Sequence, residues 1–595
     1  MAFRNYILVC GGTACESVKS QQIYQNLIAA CKEHGVADEV QIVMTGCFGF
    51  CEQGPIVKIL PEDAFYVKVK PEDADEIIRE HIVKGRQVER LLYDKSGSTR
   101  HARVEDIQFY QKQFRIVLRN CGFINPESID EYIAREGYQA LERALFEMTS
   151  DEIIEELKSS GLRGRGGAGF PTWMKWNFTR QVKNDIKYVV CNADEGDPGA
   201  YMDRSTLEGD PHSVLEAMTI CGKTVGANKG YIYIRAEYPL AISRLEIAMA
   251  QAREYGLLGN NILGSGFDFD IEIRLGAGAF VCGEETALLQ SIEGKRGMPQ
   301  PRPPFPAVKG LWGQPTVISN VETWANVPVI ITRGASWFNK IGTADSKGTK
   351  VFALTGKIRN SGLVEVPMGT TLREIIFDIG GGIANDKKFK AVQTGGPSGG
   401  VLTEEYLDTP IDFGSLVKAG SMMGSGGMIV MDEDDCIVDV VKFYLDFSVD
   451  ESCGKCAPCR IGGKSLARIL EKITKGNGTV EDIDTMRTIG EAMKKGSLCA
   501  LGQTTPNPIL SSLDHFHDEY LAHIVDKKCP AGKCKDLISY WILEDKCTGC
   551  TACARKCPVN AISGARKEVH VIDQNACIQC GACYETCRFD AIEIR

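Results

Sequence analysis

The sequence lacks several features that mark whole classes of protein. Its apolar runs are all too short to span a membrane, and the opening MAFRNYILVCGGTAC does not form a secretory signal peptide, so we expect a cytoplasmic protein. Positive charge is not in excess, because 68 Lys and Arg stand against 78 Asp and Glu. This balance argues against nucleic acid as a main partner. A Walker-type phosphate loop is also missing, since Gly463-Lys464-Ser465 has no glycine five residues earlier.

Cysteine, by contrast, is abundant, with 24 among 595 residues. In a cytoplasmic chain of this size, cysteines are more often metal ligands than disulfides. Sixteen of them fall into clusters of recognisable spacing. The isolated cysteines are interpreted as small buried hydrophobic residues. They are Cys31, Cys121, Cys191, Cys221, Cys282 and, unless it binds a metal, Cys436.

The first two cysteine pairs each follow a predicted strand, at residues 6–9 and 40–44, with a helix predicted over 17–34. Cys10 and Cys15 form one pair, and Cys47 and Cys51 form the other. Four thiolates on two adjacent loops can hold an iron–sulfur cluster. The alternatives are two separate redox pairs or a zinc site, but neither pair has CxxC spacing. CGGTAC followed by CFGFCEQGP resembles the thioredoxin-like [2Fe–2S] ferredoxins, which implies one [2Fe–2S] cluster.

Two further motifs predict [4Fe–4S] clusters. ESCGKCAPCRIG presents three thiolates on one turn, and Cys499 in GSLCALG is the candidate fourth ligand. CTGCTACARKCP and CIQCGACYETCR repeat the CxxCxxCxxxC pattern of two-cluster ferredoxins, in which the fourth cysteine of each run ligates the other cluster. The predicted ligands are Cys453, Cys456, Cys459 and Cys499, then Cys547, Cys550, Cys553 and Cys587, and finally Cys577, Cys580, Cys583 and Cys557.

Mixed nitrogen and sulfur ligands lie in HFHDEYLAHIVDKKCPAGKC. His523, Cys529 and Cys534 predict a structural zinc site with Cys436 as its fourth ligand. His515 and His517 compete for that fourth position. The alternative is a pair of free thiols beside surface histidines.

The stretch GLRGRGGAGFPTWMKW contains the GxGxxG spacing of dinucleotide-binding turns in an unusual setting. Such a motif should follow a strand and open a helix, yet this one follows a predicted helix over residues 150–158 and meets Pro171. It is therefore either an ordinary glycine-rich loop or a nucleotide site of another design. Later stretches combine glycine-permitted backbone with a few polar groups, as pocket linings do. These are YVVCNADEGDPG, RLGAGAFVCGEETALLQSIEG, RPPFPAVKGLWGQPT and ISNVET.

Together and in this order, these motifs resemble the flavin subunit of respiratory complex I and its relatives in soluble NAD-linked hydrogenases and formate dehydrogenases. The resemblance implies bound FMN with NAD(H) or NADP(H) stacked on it, and a role for Glu195 and Glu285 in contacting the nicotinamide nucleotide. Arg302, beside Phe305, could meet a 2′-phosphate, which leaves NAD and NADP open. The implied cofactor-binding residues are Gly164, Gly166, Gly167, Gly169, Phe170, Lys175, Phe178, Asn192, Asp194, Glu195, Gly283, Glu284, Glu285, Arg302, Phe305, Ser319, Asn320 and Thr323.

The predicted fold class is multidomain α/β and α+β. We expect a thioredoxin-like [2Fe–2S] domain at 1–85, a linker and helical lead-in at 86–145, and an FMN and NAD(P)H domain of non-classical Rossmann-like fold at 146–345. A β-grasp domain at 346–432 and a helical bundle with a [4Fe–4S] cluster at 433–525 follow. A zinc-bearing linker at 526–540 and a two-cluster ferredoxin domain at 541–595 complete the chain.

This order of modules is similar to that of the beta subunit of multimeric, electron-bifurcating [FeFe] hydrogenases. The resemblance implies an NAD(P)H dehydrogenase (diaphorase) subunit in a hetero-oligomer. Expected partners are a hydrogen-activating subunit, a small thioredoxin-like [2Fe–2S] subunit and soluble ferredoxin. The same module in a formate dehydrogenase is the alternative, and a non-catalytic electron-transfer scaffold is another. Exposed low-potential clusters degrade in air, so we expect an anaerobic cytoplasm.

Overall fold

The computed structural model describes residues 3–94, 100–101 and 103–595. Residues 95–99 of the predicted linker and helical lead-in lie outside the described residues. The chain divides into two compact units, Met1–Val430 and Met431–Arg595. Within the described part of the chain, no helix has the length and apolar character needed to cross a membrane.

A four-stranded sheet with one long helix begins the larger unit. Strand β1 (Asn5–Cys10) pairs in parallel with β2 (Val40–Thr45) and antiparallel with β3 (Val57–Leu60), which pairs with β4 (Ala64–Tyr66). Helix α1 (Ser20–Glu33) connects β1 and β2, and its buried residues recur every three or four positions, which forms one apolar face. The two strands and the helix predicted here are confirmed, and each cysteine pair follows a strand.

The segment before the glycine-rich loop is less helical than its composition predicts. Residues 103–138 contain only short helical segments, and the first longer helix is α2 (Gln139–Phe146). The buried carboxylate of Glu365 accepts hydrogen bonds at 2.9 Å from the backbone N–H groups of Ile116, Val117 and Leu118. A distant side chain therefore satisfies donors that a helix would satisfy internally.

The middle of the larger unit is a four-stranded, fully parallel sheet. Its strands are β5 (Tyr188–Ala193), β6 (Lys229–Arg235), β7 (Asp270–Gly276) and β8 (Thr316–Asn320), in the order β8-β5-β6-β7. The strand order reverses at β5, because its neighbours are the next strand and the last strand of this sheet. Open α/β sheets bind ligands outside the carboxyl ends of strands at such a reversal.

Longer helices accompany this sheet. Two of them, α6 (Pro211–Val225) and α9 (Val321–Arg333), are buried along nearly their whole length, and both are accordingly rich in apolar and small residues. These helices are α3 (Ser150–Ser160), α4 (Thr172–Gln181), α5 (Met202–Gly209), α6 (Pro211–Val225), α7 (Pro239–Glu254), α8 (Glu285–Ile292) and α9 (Val321–Arg333).

A five-stranded mixed sheet completes the larger unit, in the region predicted as a β-grasp domain. Its strands are β9 (Thr349–Gly356), β10 (Gly362–Pro367), β11 (Phe389–Thr394), β12 (Val401–Leu402) and β13 (Gly427–Asp432). Their order in the sheet is β10-β9-β13-β11-β12, and the helical segment Glu374–Ile379 buries three isoleucines beside it.

The smaller unit combines a group of helices with short strand pairs. Helices α10 (Ile437–Asp450), α11 (Gly463–Thr474), α12 (Glu481–Gly496), α13 (Asn507–His515) and α14 (His517–Ile524) come first. Two short antiparallel ladders follow, in which β14 pairs with β17 and β15 pairs with β16. These strands are β14 (Tyr540–Ile542), β15 (Ile562–Ser563), β16 (Val571–Ile572) and β17 (Ile592–Ile594).

A buried ion pair joins the five-stranded sheet of the larger unit to helix α9. The side chains of Lys350 on β9 and Glu322 on α9 are 0% and 1% exposed, and the ammonium donates to the carboxylate. The ammonium also donates to the carbonyl oxygen of Ser425 at 2.5 Å, and Glu322 accepts from the N–H of Val351 at 2.9 Å. The charges are therefore both paired and hydrogen-bonded, as burial requires.

Replacing Lys350→Met should destabilise the protein by about 3–5 kcal/mol, because it leaves the Glu322 carboxylate buried without its partner. Thermal and urea unfolding of the full-length protein would measure the loss. The double variant Lys350→Met with Glu322→Gln should recover part of that stability, since no charge is then buried. A single variant as stable as the wild type would contradict the assigned pairing.

Candidate functional site

The glycine-rich loop presents bare backbone because its one long buried side chain points inward. Arg165 is fully buried and donates to the carbonyl oxygens of Arg163, Lys347 and Thr349 at 2.8, 2.5 and 3.0 Å. Burial lowers the pKa of this guanidinium to about 10. Gly167 has a φ of +115°, which glycine adopts readily and other residues rarely do, and Gly166 is exposed. The sequence interpretation did not single out Arg165.

Two asparagines mark the strand-order reversal. Asn192 and Asn320 are register partners at the carboxyl ends of β5 and β8. Asn192 donates to the carbonyl oxygen of Gly283 at 2.8 Å, and Asn320 caps α9 by accepting from the N–H of Thr323 at 3.3 Å. A Cβ at Gly166 would lie 3.4 Å from the Asn320 side chain. The glycine-rich loop and both strand ends therefore meet where an α/β sheet binds its ligand.

A line of charged groups leads away from these strand ends. Lys175 donates to the carbonyl oxygen of Ile318 on β8 at 3.1 Å and lies 3.4 Å from one oxygen of Glu285. The other oxygen of Glu285 pairs with Arg302 at 2.7 Å, and that guanidinium lies 6.0 Å from the ring of Phe305. The lysine and the arginine are thus both available to a phosphate-bearing ligand that displaces a carboxylate.

Three of the predicted cofactor-binding residues are unusually exposed for phenylalanine. Phe170, Phe178 and Phe305 are 41%, 43% and 55% exposed. Exposed aromatic faces near a groove are typical of surfaces on which planar ligands stack.

The remaining predicted residues have structural partners. Glu284 caps α8 by accepting from the N–H groups of Thr286 and Ala287, both at 2.9 Å. Asp194 pairs with Arg235 at 3.0 Å. The carbonyl oxygen of Ser319, beside Asn320, accepts from an indole N–H at 3.0 Å.

Glu195 holds the beginning of helix α5. Its buried carboxylate accepts hydrogen bonds from the backbone N–H groups of Met202, Asp203 and Arg204, at 3.0 to 3.2 Å. Burial raises the pKa of this carboxyl group to about 7, although the N–H groups oppose the shift. The predicted contact of Glu195 with a nicotinamide stays a prediction.

Asp197, two residues further on, was missed by the sequence interpretation. It accepts from the hydroxyl of Ser425 at 2.7 Å, while its buried Oδ1 finds no hydrogen-bond partner among the described residues. Burial raises its pKa to about 6. A Cβ at Gly396 would lie 2.6 Å from this Oδ1. The glycine runs GGPSGG and MMGSGG are the sequence signal that could have indicated this close approach.

The four N-terminal cysteines converge. The thiol of Cys10 lies beside those of Cys15 and Cys47, and the thiol of Cys47 lies beside that of Cys51. Cys47 also accepts from the N–H of Gly49 at 3.3 Å, the kind of donor that stabilises cluster sulfur. Cβ atoms at Gly12 and Gly54 would lie 2.9 Å from Cys47 and 2.7 Å from Cys15, so glycine leaves room around the thiols.

The three-cysteine turn of the smaller unit lies beside the loop of Cys499. A Cβ at Gly502, three residues after Cys499, would lie 2.9 Å from the Cβ of Cys459. Ser452 lies 3.2 Å from the sulfur of Cys459. Burial raises the pKa of the Cys459 thiol, and the charges of Cys456 and Cys453 raise it further. Distant cysteines are thus placed near one another.

The ferredoxin-like repeat forms two cysteine-lined cavities. The fourth cysteine of each run lines the cavity of the other run, as Cys587 and Cys557 do. The first cavity contains Cys547, Cys550, Cys553 and Cys587, and the second contains Cys577, Cys580, Cys583 and Cys557.

A fourth group of donors lies in the smaller unit. The donor atoms of Cys436, His523, Cys529 and Cys534 all lie within 4.8 Å of one another, and all four residues are buried. The Nε2 atom of His523 is 3.4 Å from the sulfurs of both Cys436 and Cys534. Its Nδ1 atom donates to the carbonyl oxygen of Glu519 at 2.7 Å, which leaves Nε2 free to ligate. His515 and His517 are not members of this group.

Four family models match the chain. A thioredoxin-like [2Fe-2S] ferredoxin model covers residues 3–81, and a Nuo51 FMN-binding domain model covers 157–329. The NADH-ubiquinone oxidoreductase-F iron-sulfur binding region matches 439–523, and a 4Fe-4S dicluster domain matches 539–588.

Individual proteins resemble longer stretches. The chain is 63% identical over 482 residues to the NADP-reducing hydrogenase subunit HndC of Solidesulfovibrio fructosivorans, covering 81% of this chain and 98% of that one. It is 46% identical to an NADH-quinone oxidoreductase subunit of Rhizobium meliloti, covering 70% and 99%. Among solved structures, an NAD+-reducing [NiFe]-hydrogenase in the H2-reduced state matches with a TM-score of 0.62 and 29% identity, covering 88% and 85%.

These matches confirm the predicted fold class, with its thioredoxin-like, FMN-binding and [4Fe–4S] parts. They also confirm that the chain is an oxidoreductase with FMN, one [2Fe–2S] cluster and [4Fe–4S] clusters as cofactors. The residues present fit these groups, since bare backbone, a lysine and convergent thiols lie where each is needed. The domain boundaries and the residue assignments stay predictions.

Replacing Asp197→Asn should flatten the dependence of stability on pH. A carboxyl group whose pKa is raised to about 6 binds protons more tightly in the folded state than in the unfolded state. Its contribution to stability is therefore lost as the pH rises from about 4 to about 6. The wild type should lose about 2 kcal/mol over this range that the variant keeps. Thermal unfolding of the full-length protein at a series of pH values measures this.

The control is Asp386→Asn, since the Asp386 side chain is 90% exposed. An equal pH dependence in wild type and Asp197→Asn would contradict the prediction.

Proposed function

The chain belongs to the family that includes the NADP-reducing hydrogenase subunit HndC and the matching NADH-quinone oxidoreductase subunits, and from this premise we propose that it is an NAD(P)H dehydrogenase subunit. It would oxidise a nicotinamide nucleotide, or reduce it in the reverse direction, and exchange the electrons with a partner subunit. The observation that carries the proposal is the meeting of the glycine-rich loop with Asn192 and Asn320 at the strand-order reversal.

FMN, when bound, takes up a hydride from the nucleotide and passes electrons on singly, which is chemistry of the cofactor and not of an amino acid. The chain supplies binding and orientation. The loop around Gly166 and Gly167 lets the backbone approach the flavin, and Lys175 neutralises phosphate. Asn192 and Asn320 offer amides to the polar edges of the ligand. The open faces of the phenylalanines described above stack the nucleotide and exclude water.

The choice between NAD and NADP depends in this proposal on Arg302. In the structure Glu285 neutralises this guanidinium at 2.7 Å, and Lys175 approaches the other carboxylate oxygen. A 2′-phosphate would compete with Glu285 for Arg302, because guanidinium binds phosphate bidentately. A ribose hydroxyl would instead use Glu285 as an acceptor. The same pair thus accommodates both nucleotides, with Arg302 favouring NADP.

The full-length protein, reconstituted with FMN, should reduce benzyl viologen with NADH or NADPH. Arg302→Gln should raise the KM for NADPH about tenfold, since a charge-assisted hydrogen bond is worth about 1.5–3 kcal/mol, and change the KM for NADH little. Arg487→Gln is the matched control, because Arg487 lies on α12 of the smaller unit and is 39% exposed. If neither nucleotide reduces viologen after FMN loading, the proposed dehydrogenase activity is contradicted and the non-catalytic electron-transfer scaffold is favoured.

The partner of the chain is proposed to be a hydrogen-activating subunit in a hetero-oligomer. Support comes from the relative in Solidesulfovibrio fructosivorans, which is named as a hydrogenase subunit and matches 81% of this chain. A small thioredoxin-like [2Fe–2S] subunit and soluble ferredoxin are the further proposed partners, with electron bifurcation between ferredoxin and NAD(P). The corresponding subunit of an NAD-linked formate dehydrogenase is the alternative, and identifying the proteins that co-purify with the chain separates the two.

A structural zinc ion is proposed at Cys436, His523, Cys529 and Cys534. Three sulfurs and one imidazole nitrogen form a common structural zinc set, and all four residues are buried, which suits a closed site. The hydrogen bond from Nδ1 of His523 to Glu519 orients the ring. Because Cys436 begins α10 and the two other cysteines follow α14, the ion would tie the first helix of the smaller unit to its last long one.

Elemental analysis of purified protein should find one zinc per chain, and Cys436→Ser should lose most of it because one of four ligands is gone. His515→Ala should keep the zinc, since this competing histidine lies outside the group. Wild-type protein without zinc, or zinc that depends on His515 and not on Cys436, would rule out the proposed ligand set.

A further inference from the structure

Helix α5 touches both cysteine loops of the N-terminal domain. Glu208, near its end, is only 1% exposed and accepts from the N–H of Thr13 at 3.1 Å and from the hydroxyl of the same residue. Thr13 lies between Cys10 and Cys15. At the other end of α5, the side chain of Tyr201 lies beside the thiol of Cys51. The two ends of one helix therefore lie against the two cysteine loops.

Arg204 brings a positive charge to the same place. Its guanidinium lies over the rings of Tyr201 and Tyr238, at 5.6 and 5.5 Å from their centroids. The positive charge of Arg204 favours the ionised form of the Cys51 thiol. Its Nε is 3.6 Å from Glu208 and takes part in no hydrogen bond among the described residues, so the neighbouring carboxylate only partly neutralises it.

One-electron reduction of a [2Fe–2S] cluster adds one negative charge to the cluster and its thiolates. A hydrogen bond to a cysteine sulfur and a cation beside it both favour that added charge, and both raise the reduction potential. The effect is strongest away from solvent, where charges are less screened. Tyr201 and Arg204 are partly buried and satisfy this condition.

We propose that Tyr201 and Arg204 raise the reduction potential of the [2Fe–2S] cluster. The carboxylate of Glu195, a predicted cofactor-binding residue, accepts from the first N–H groups of the same helix. Helix α5 thus connects a predicted cofactor-binding residue to the cysteine loops. The inference rests on the cofactor content and not on the hydrogenase partner or on the choice of nucleotide.

The experiment is an EPR-monitored redox titration of the [2Fe–2S] signal in the full-length protein, without nucleotide or partner. Tyr201→Phe should lower the midpoint potential, with about a tenfold change in the ratio of reduced to oxidised cluster at a fixed ambient potential, which is about 59 mV for one electron. Arg204→Gln should shift it in the same direction. Arg204→Lys should restore most of the wild-type value, because it keeps the charge.

Tyr110→Phe is the matched control. The Tyr110 side chain also lies near the cluster, where the charges of Cys47, Cys10 and Cys51 act on it, but its hydroxyl donates to the carbonyl oxygen of Phe48 at 3.2 Å. Its removal should leave the midpoint unchanged. Equal shifts in the two tyrosine variants, or a wild-type midpoint in Tyr201→Phe, would overturn the proposal.

Iron and sulfide analysis establishes that each variant retains its clusters. If Tyr201→Phe does not, the difference between Arg204→Gln and Arg204→Lys decides the matter, and equal midpoints in these two would also overturn the proposal. Since no nucleotide is present, a negative result here leaves the viologen assay untouched, and a failed viologen assay leaves this titration untouched.

Discussion

The carboxylate of Glu195, held by the first backbone N–H groups of helix α5, is the interaction on which the larger unit depends. A buried carboxylate is costly unless it is hydrogen-bonded, and the free N–H groups at a helix start are equally in need of an acceptor. Each therefore satisfies the other. Asp203, on the same turn, accepts from the N–H of Glu322, and Glu208 receives Thr13. One short helix consequently connects the cysteine loops, the parallel sheet and helix α9.

The same principle explains how a pocket of bare backbone stays in place. Glycine-rich loops lose much conformational entropy on folding, so they need anchors outside the surface that they present. Arg165 anchors the loop from behind through three carbonyl oxygens, and Lys350 binds the chain beside Ser425. Long buried cations thus hold the loop backbone in place, as packed side chains do in other proteins. Because they bind from behind, the Arg165 and Lys350 side chains do not cover the ligand-facing backbone.

The sequence predicted the parts of this protein whose chemistry is local. Cysteine runs such as Cys547–Cys557 carry their ligand spacing within a dozen residues or fewer, and the glycine-rich loop is a continuous stretch, so both could be read directly. Contacts between distant residues could not. Ser425 meets Asp197 across 228 positions and Thr13 meets Glu208 across 195. Neither pair has a periodicity or spacing, because folding alone brings them together. The zinc group lies between these cases, since three of its ligands are neighbours and Cys436 is not.

The covalent link between the N-terminal domain and the flavin domain has a kinetic consequence. Glu208 with Thr13, and Gly49 with Leu363, join domains of one chain. The thioredoxin-like module therefore meets its docking surface at an effective concentration set by the tether, independent of expression level or dilution. An electron carrier that diffuses freely must find its partner in each cycle. Here the encounter is made once, at folding, so any electron exchange across this junction would not depend on the concentration of the protein.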